Sequence, residues 1–160
     1  MTITKIAQEG FAVEIERKFL VEALPEALSE YPHERIEQAY LCTDPVVRVR
    51  RYGDQFWLTC KGKGLLSREE FELPLSGESY RHLLGKSDGL TIEKERYRIP
   101  WKGRTIELDV FGGALAPLTL AEVEFPTEEE ALAFDPPDWF GREVTWDPAY
   151  SNASLSKRKP

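Results

Sequence analysis

From Val13 to Val21 the chain reads Val-Glu-Ile-Glu-Arg-Lys-Phe-Leu-Val, with two carboxylates and an ammonium at every second residue among apolar neighbours. In a β-strand a period of two puts Glu14, Glu16 and Lys18 on one face. A solvated face would explain one such strand. The same charged i, i+2 pattern returns in at least five later segments, and a polar interior with a chemical purpose is then the better explanation.

Composition sets the frame. At 160 residues and 41% hydrophobic content the chain fits one domain, 1–160, and can bury a substantial core. Residues 1–12 lack the basic start and apolar run of a leader. No run approaches the roughly 18 apolar residues of a membrane helix, so no membrane partner and a cytoplasmic location are expected. A net charge of −7 argues against nucleic acid as a partner. The basic tail Ser156-Lys157-Arg158-Lys159-Pro160 is expected to be a solvated, frayed terminus. Cys42 and Cys60 fit neither a disulfide framework nor a zinc site and read as reduced packing residues.

Alternation bounded by Gly, Pro, Asp or Ser predicts eight strands, at 12–21, 35–42, 45–52, 55–62, 67–75, 91–99, 104–111 and 119–125. Turn chemistry at Thr43-Asp44-Pro45, Tyr52-Gly53-Asp54 and Lys102-Gly103 predicts hairpins, hence a mainly antiparallel sheet. Helices are expected at Pro25–Glu30, at Glu78–Leu84 after Ser76-Gly77, and from Thr127, where Thr127-Glu128-Glu129-Glu130 has capping-box spacing, to before Pro136-Pro137. The class is α+β, dominated by β.

The charged faces carry both signs. Arg48 and Arg50 share a face, as do Thr59 and Lys61; Arg68, Glu70 and Glu72; Lys94 and Arg96; Glu107 and Asp109; and Glu122 and Glu124. An open sheet with a wet, salt-bridged side is the plainer alternative. It leaves Glu-x-Glu and Arg-x-Arg repeats repelling one another unless opposite charge sits between them. A closed barrel with its apolar faces outward, covered by helices, makes all these groups line a lumen. A polyanion with a divalent metal satisfies both signs there, Lys and Arg taking phosphoryl oxygens and the carboxylates taking Mg²⁺ or Mn²⁺.

Glu14-Ile15-Glu16-Arg17-Lys18 resembles the Glu-x-Glu-x-Lys signature of the CYTH superfamily, the triphosphate tunnel metalloenzymes. Ile36 to Leu41, Val47-Arg48-Val49-Arg50, Thr59-Cys60-Lys61-Gly62 and Arg68-Glu69-Glu70-Phe71-Glu72 follow in the family's order. So do Lys94-Glu95-Arg96-Tyr97, Glu107 to Phe111, Ala121-Glu122-Val123-Glu124, Glu143-Val144-Thr145 and Tyr150-Ser151-Asn152. The likeness covers about residues 12–155 and is nearest to the bacterial tripolyphosphatase branch. It implies a closed eight-stranded antiparallel tunnel that hydrolyses tripolyphosphate or another triphosphate.

The same resemblance makes Glu14, Glu16, Glu122 and Glu124 metal-binding carboxylates, and Lys18, Arg48, Arg50, Lys61, Lys94 and Arg96 the triphosphate clamp. Glu70, Glu72, Glu107 and Asp109 match acidic positions that hold a second metal or orient the water. Glu72, Lys94 and Asp109 stand as the candidate catalytic groups. Class IV adenylate cyclase, thiamine triphosphatase and a silent polyphosphate-binding module remain alternatives, and the oligomeric state is open between monomer and homodimer.

Other constellations are thin. His33 and His82 are isolated and read as surface or packing residues. Lys61-Gly62-Lys63-Gly64 lacks the Walker pattern and reads as a hairpin connection. Trp57, Trp101, Trp139 and Trp146 are expected in the core. Gln38, Tyr40, Tyr150 and Asn152 are expected to support the barrel.

Overall fold

A computed structural model describes residues 11–158. Eight strands, β1 (Phe11–Leu20), β2 (His33–Thr43), β3 (Val46–Tyr52), β4 (Gln55–Lys61), β5 (Ser67–Leu75), β6 (Asp88–Trp101), β7 (Arg104–Phe111) and β8 (Thr119–Glu124), close into one barrel. Their order around it is β1-β5-β4-β3-β2-β6-β7-β8, and every pairing is antiparallel. Closure removes the free strand edges that an open sheet would expose. Each strand agrees with its expected range to within a few residues, β6 departing most by extending to Asp88 and Trp101. The β6–β7 hairpin turns on Lys102 and Gly103, both at positive φ, 46° and 75°, the pair of conformations a tight two-residue turn demands.

Outside the barrel, apolar faces are covered as expected over most of the circumference. Ile99, Ile106, Leu108, Ala121 and Val123 on β6, β7 and β8 pack under Phe125, Ala131, Phe134 and Trp139 of the segment that carries α2 (Glu128–Ala133). Thr127 caps α2 by accepting from the Glu130 amide, the expected N-cap half of the box, while the Glu130 carboxylate accepts from the Thr127 hydroxyl rather than from its backbone amide. Helix α1 (Gly77–Leu84), capped by Ser76, sets Tyr80 against Phe56 of β4. The helix expected from Pro25 is reduced to a 3₁₀ turn, Leu28–Glu30.

A third helix, α3 (Asn152–Leu155), had no counterpart in the sequence reading. It does not lie outside. Leu155 and Val144 pack with Tyr40, Ile92, Phe111 and Leu120, which sit at the matching ends of β2, β6, β7 and β8, with Leu20 of β1 beside them. The apolar group forms a stopper at that end of the tunnel. Residues 141–144 are laced to β1 through Gly141 N to Leu20 O, Leu20 N to Arg142 O and Val144 N to Lys18 O.

Several expectations about burial fail. Cys42 is exposed on the outer face, where the last rungs of β2 are uncovered, although both cysteines are free as expected. Trp146 is 49% exposed. Ser156, read as part of a frayed tail, is buried because its carbonyl accepts from Leu90 N and its hydroxyl donates to Ala153 O. Residues 1–10, 159 and 160 lie outside the described residues, and with them the expectation about a leader and the end of the tail.

Candidate active site

The alternation of each strand delivers its charged residues to the barrel interior, where a cavity of about 430 Å³ is lined by groups from all eight strands. Its mouth, at the end opposite the α3 stopper, is formed by Glu34, Tyr52, Gln55 and Arg98. Arg98 donates to the Tyr52 hydroxyl at 2.8 Å. Trp57, expected in the core, also lines this cavity. Its position is forced by period two, since Trp57 shares a face with Thr59 and Lys61.

Carboxylates from two strands converge on one point. Glu14 and Glu16 of β1 and Glu124 of β8 each offer an oxygen within 4.8 Å of the others. Burial, with Glu122 and Glu14 close by, pushes the Glu16 carboxyl well above its ordinary range. Burial and the neighbouring Glu107 and Glu14 raise Glu124 to about 7. Glu14 goes the other way: against the cost of burial, Lys61 and a hydrogen bond with Glu70 hold it well down. Lys61 Nζ reaches Glu14 Oε1 at 3.0 Å and Glu70 Oε2 at 3.4 Å, and burial and its bond with Glu14 raise Glu70 to about 8.

Three crowded carboxylates that resist ionising together are what a divalent cation would relieve. Their oxygens are the hard donors that Mg²⁺ and Mn²⁺ take. The donor set therefore fits the metal, with Glu14, Glu16 and Glu124 as its holders. Glu122, expected as a fourth ligand, lines the same cavity close to Glu16 and is also paired with cations. Lys18 lies 3.5 Å and Arg96 3.8 Å from it, and against burial these cations hold Glu122 far below the carboxylate range.

The cations fall into two groups by wall. On β6 and β1 they are already neutralised, largely by carboxylates of β7 and β8. Asp109, fully buried, accepts from Lys94 Nζ at 2.7 Å and from Arg96 Nε and Nη2 at 2.7 and 2.8 Å. Arg96 also meets Glu107 at 2.9 Å. Lys18 donates to the Tyr150 carbonyl and lines a small side cavity with Arg68, Thr145 and Ser151. Burial lowers Lys94 to about 8 although Asp109 opposes it.

On β3 the balance is different. Arg48 has no carboxylate within 4 Å among the described residues, and Arg50 has only Glu72, at 3.7 Å. Burial and the adjacent Arg48 and Arg96 bring Arg50 down to about 10. Arg68 of β5, absent from the expected clamp, lines the cavity, and its side chain makes no hydrogen bond or ion pair within 4 Å among the described residues, though its charge helps hold nearby Glu14 ionised. Its place two residues before Glu70 was the signal that it faces inward.

The candidate residues thus divide. Glu14, Glu16, Glu124, Arg48, Arg50, Lys61, Glu72, Lys94, Arg96 and Glu122 all line the cavity. Asp109 is 0% exposed and sits behind Lys94 and Arg96, so it holds cations in place rather than facing a ligand. Lys18 faces the side cavity. Asn152, expected only to support the barrel, lines the main cavity while its Oδ1 accepts from Lys94 Nζ at 3.2 Å. His33 and His82 are exposed, as read.

Comparison with known proteins accords with this geometry. Residues 12–155 match the model of the CYTH domain. The chain is 43% identical over 153 residues to the inorganic triphosphatase of Nitrosomonas europaea, spanning 92% of this chain and 99% of that protein. It is 39% identical over 147 residues to the inorganic triphosphatase of Acetivibrio thermocellus, spanning 90% and 93%. The crystal structure of an inorganic triphosphatase superposes with a TM-score of 0.70 at 40% identity, over 92% of this chain and 96% of that one. Barrel, charged interior and sequence match together place this chain in the CYTH domain family.

Proposed function

We propose that this protein is a metal-dependent hydrolase that cleaves inorganic tripolyphosphate to phosphate and diphosphate. The observation that carries the reading is the juxtaposition, in one cavity, of the Glu14, Glu16 and Glu124 cluster with the under-neutralised guanidinium groups of Arg48, Arg50 and Arg68. A polyanion accompanied by a divalent cation satisfies both sets. The names of the two curated relatives support the same substrate.

Bound at the carboxylate cluster, Mg²⁺ or Mn²⁺ would supply Lewis-acid neutralisation of phosphoryl oxygens. The chain's own residues do the rest. Arg48, Arg50 and Arg68 take the phosphoryl oxygens and fix the substrate along the β3 and β5 walls, where positioning and charge stabilisation provide most of the rate. Lys94 and Arg96, clamped by Asp109, present cationic groups that need no reorganisation when charge builds on the leaving diphosphate. Glu72, beside Arg50, is placed to orient a water, and Glu70, with its raised pKa, is placed to hold a proton near neutral pH.

A second substrate class is favoured by Trp57 and Tyr52 in the cavity wall. An aromatic group beyond the phosphates would stack there, which admits nucleoside triphosphates as side substrates. A cytoplasmic location and a monomer or homodimer state belong to the same proposal.

The deciding experiment measures phosphate release from tripolyphosphate, ATP and thiamine triphosphate with Mg²⁺, with Mn²⁺ and with chelator, for the native chain and for Glu16→Gln. Metal-dependent turnover of tripolyphosphate that disappears in the variant is expected. Cyclic AMP as the product from ATP would replace the reading with a cyclase, and binding without turnover of any of the three would replace it with a polyphosphate-binding module.

A further inference from the structure

Two rungs of the barrel wall share an unusual feature. Arg48 faces Thr59 across the β3–β4 ladder, and Gln38 faces Arg50 across the β2–β3 ladder. Gln38 and Thr59 are fully buried. In each pair one donor and one acceptor lack a partner: Arg48 Nε with Thr59 Oγ1, and Arg50 Nε with Gln38 Oε1. These four are all the buried side-chain polar atoms without a hydrogen bond among the described residues. A buried donor or acceptor left unpaired is costly, so each of these atoms calls for a partner.

The matching is chemical as well as spatial. The other end of the Gln38 amide is engaged, Nε2 donating to the Tyr40 hydroxyl at 3.3 Å, which leaves Oε1 as an acceptor. Neither Gln38 nor Thr59 lines the cavity, whereas Arg48 and Arg50 do. Any influence on a ligand therefore passes through the two arginines.

We infer that Thr59 and Gln38 are positioning residues for Arg48 and Arg50, each accepting the Nε–H of its neighbour, directly or through one buried water, when a polyphosphate draws the guanidinium groups into line. Holding Nε–H from behind leaves both terminal amino groups of each fork for phosphoryl oxygens, the bidentate geometry in which arginine is strongest. Neutral partners suit this wall. A carboxylate behind Arg48 or Arg50 would cancel the charge a polyanion needs, as Asp109 does for Lys94 and Arg96. A hydroxyl and an amide orient without neutralising. The inference rests on the polyphosphate reading above.

The test is calorimetric titration of the full chain with tripolyphosphate in metal-free buffer, together with steady-state kinetics in Mg²⁺. Thr59→Val and Gln38→Met are each expected to raise Kd and KM about tenfold, the loss of one hydrogen bond to a charged group, with kcat changed less than about twofold. Thr59→Ser restores binding. In a double-mutant cycle Thr59→Val has no further effect once Arg48→Lys has removed the fork, yet keeps its full effect beside Arg50→Lys; Gln38→Met shows the reverse. Additive effects in both backgrounds, or an unchanged Kd, overturn the inference. Should Thr59→Val not fold, Thr59→Ala carries the same cycle. Tripolyphosphate that binds with this dependence but is never hydrolysed overturns the hydrolase reading alone.

Discussion

Lys94 Nζ stands 2.7 Å from Asp109 Oδ2, and Arg96 closes on the same carboxylate from its other side, so one wholly buried aspartate fixes two lumen cations. Against the cost of its burial, Arg96 and Lys94 hold Asp109 below the ordinary carboxylate range. Asp109→Asn leaves buried Lys94 without its counter-ion and Arg96 with only Glu107 and Glu122, a loss of about 3–5 kcal/mol. Chemical denaturation should show it as a lowered midpoint. Undiminished stability with abolished turnover would instead give Asp109 a reacting role.

Glu16 behaves oppositely, because burial and the neighbouring Glu122 and Glu14 disfavour its charge. Glu16→Gln should therefore raise the melting temperature of the metal-free protein by a few degrees at pH 7 while abolishing metal-dependent turnover and the stabilisation by added Mg²⁺. Thermal melts with and without Mg²⁺ decide it. A variant less stable than the native chain in both conditions would contradict the reading of strain at this position.

The pH dependence of the metal-free protein follows from the same cluster. Glu16, Glu70 and Glu124 have folded-state pKa values above those of the unfolded chain, near 8 for Glu70 and near 7 for Glu124. The folded state then binds more protons than the unfolded state between about pH 4.5 and 8, and stability falls as pH rises through that window. Glu14, Asp109 and Glu122, held low, contribute stability that is lost only as pH drops through their depressed values. Melting temperatures from pH 5 to 8 should slope downward without metal, and saturating Mg²⁺ should flatten the slope. A slope unaffected by Mg²⁺ would separate these carboxylates from metal binding.

The segment behind the stopper is fastened by a bidentate pair. Arg17 Nη2 and Nε meet Glu143 at 2.6 and 2.8 Å, and Arg17 also donates to the carbonyls of Ala131 and Phe134. Glu143→Gln should cost about 1–2 kcal/mol, since one charge-assisted contact is weakened while the guanidinium keeps its carbonyl partners. Faster amide exchange over residues 141–156 than over β6 and β7 is the expected signature. Uniform acceleration across the barrel would point to a global effect.

Alternation was enough to read the barrel interior strand by strand, because a period of two assigns faces whatever the neighbours are. It put Glu14, Glu16, Arg48, Arg50 and Lys61 inside without any knowledge of their partners. It put Arg68 there too, beside Glu70 and Glu72, though not in the clamp, and it would have done the same for Trp57 had an indole been trusted to follow its strand. Partnership across the lumen was not readable. Glu122 and Glu124 share a face and a motif, yet register brings Glu124 opposite Glu16 and Glu122 opposite Lys18, so one joins a carboxylate cluster and the other a cation. Depth was not readable either: Asp109, expected among the catalytic groups, lies wholly buried behind Lys94 and Arg96. Helix α3 escaped because four residues are too few for a helical period to show.

The apolar group of Tyr40, Ile92, Phe111, Leu120, Val144 and Leu155 turns the barrel into a chamber entered past Tyr52 and Arg98. Traffic in such a chamber has an order. A fragment formed near the stopper has the whole guanidinium wall to pass on its way to that mouth, so the deeper product is expected to dissociate last and to compete directly with the next substrate.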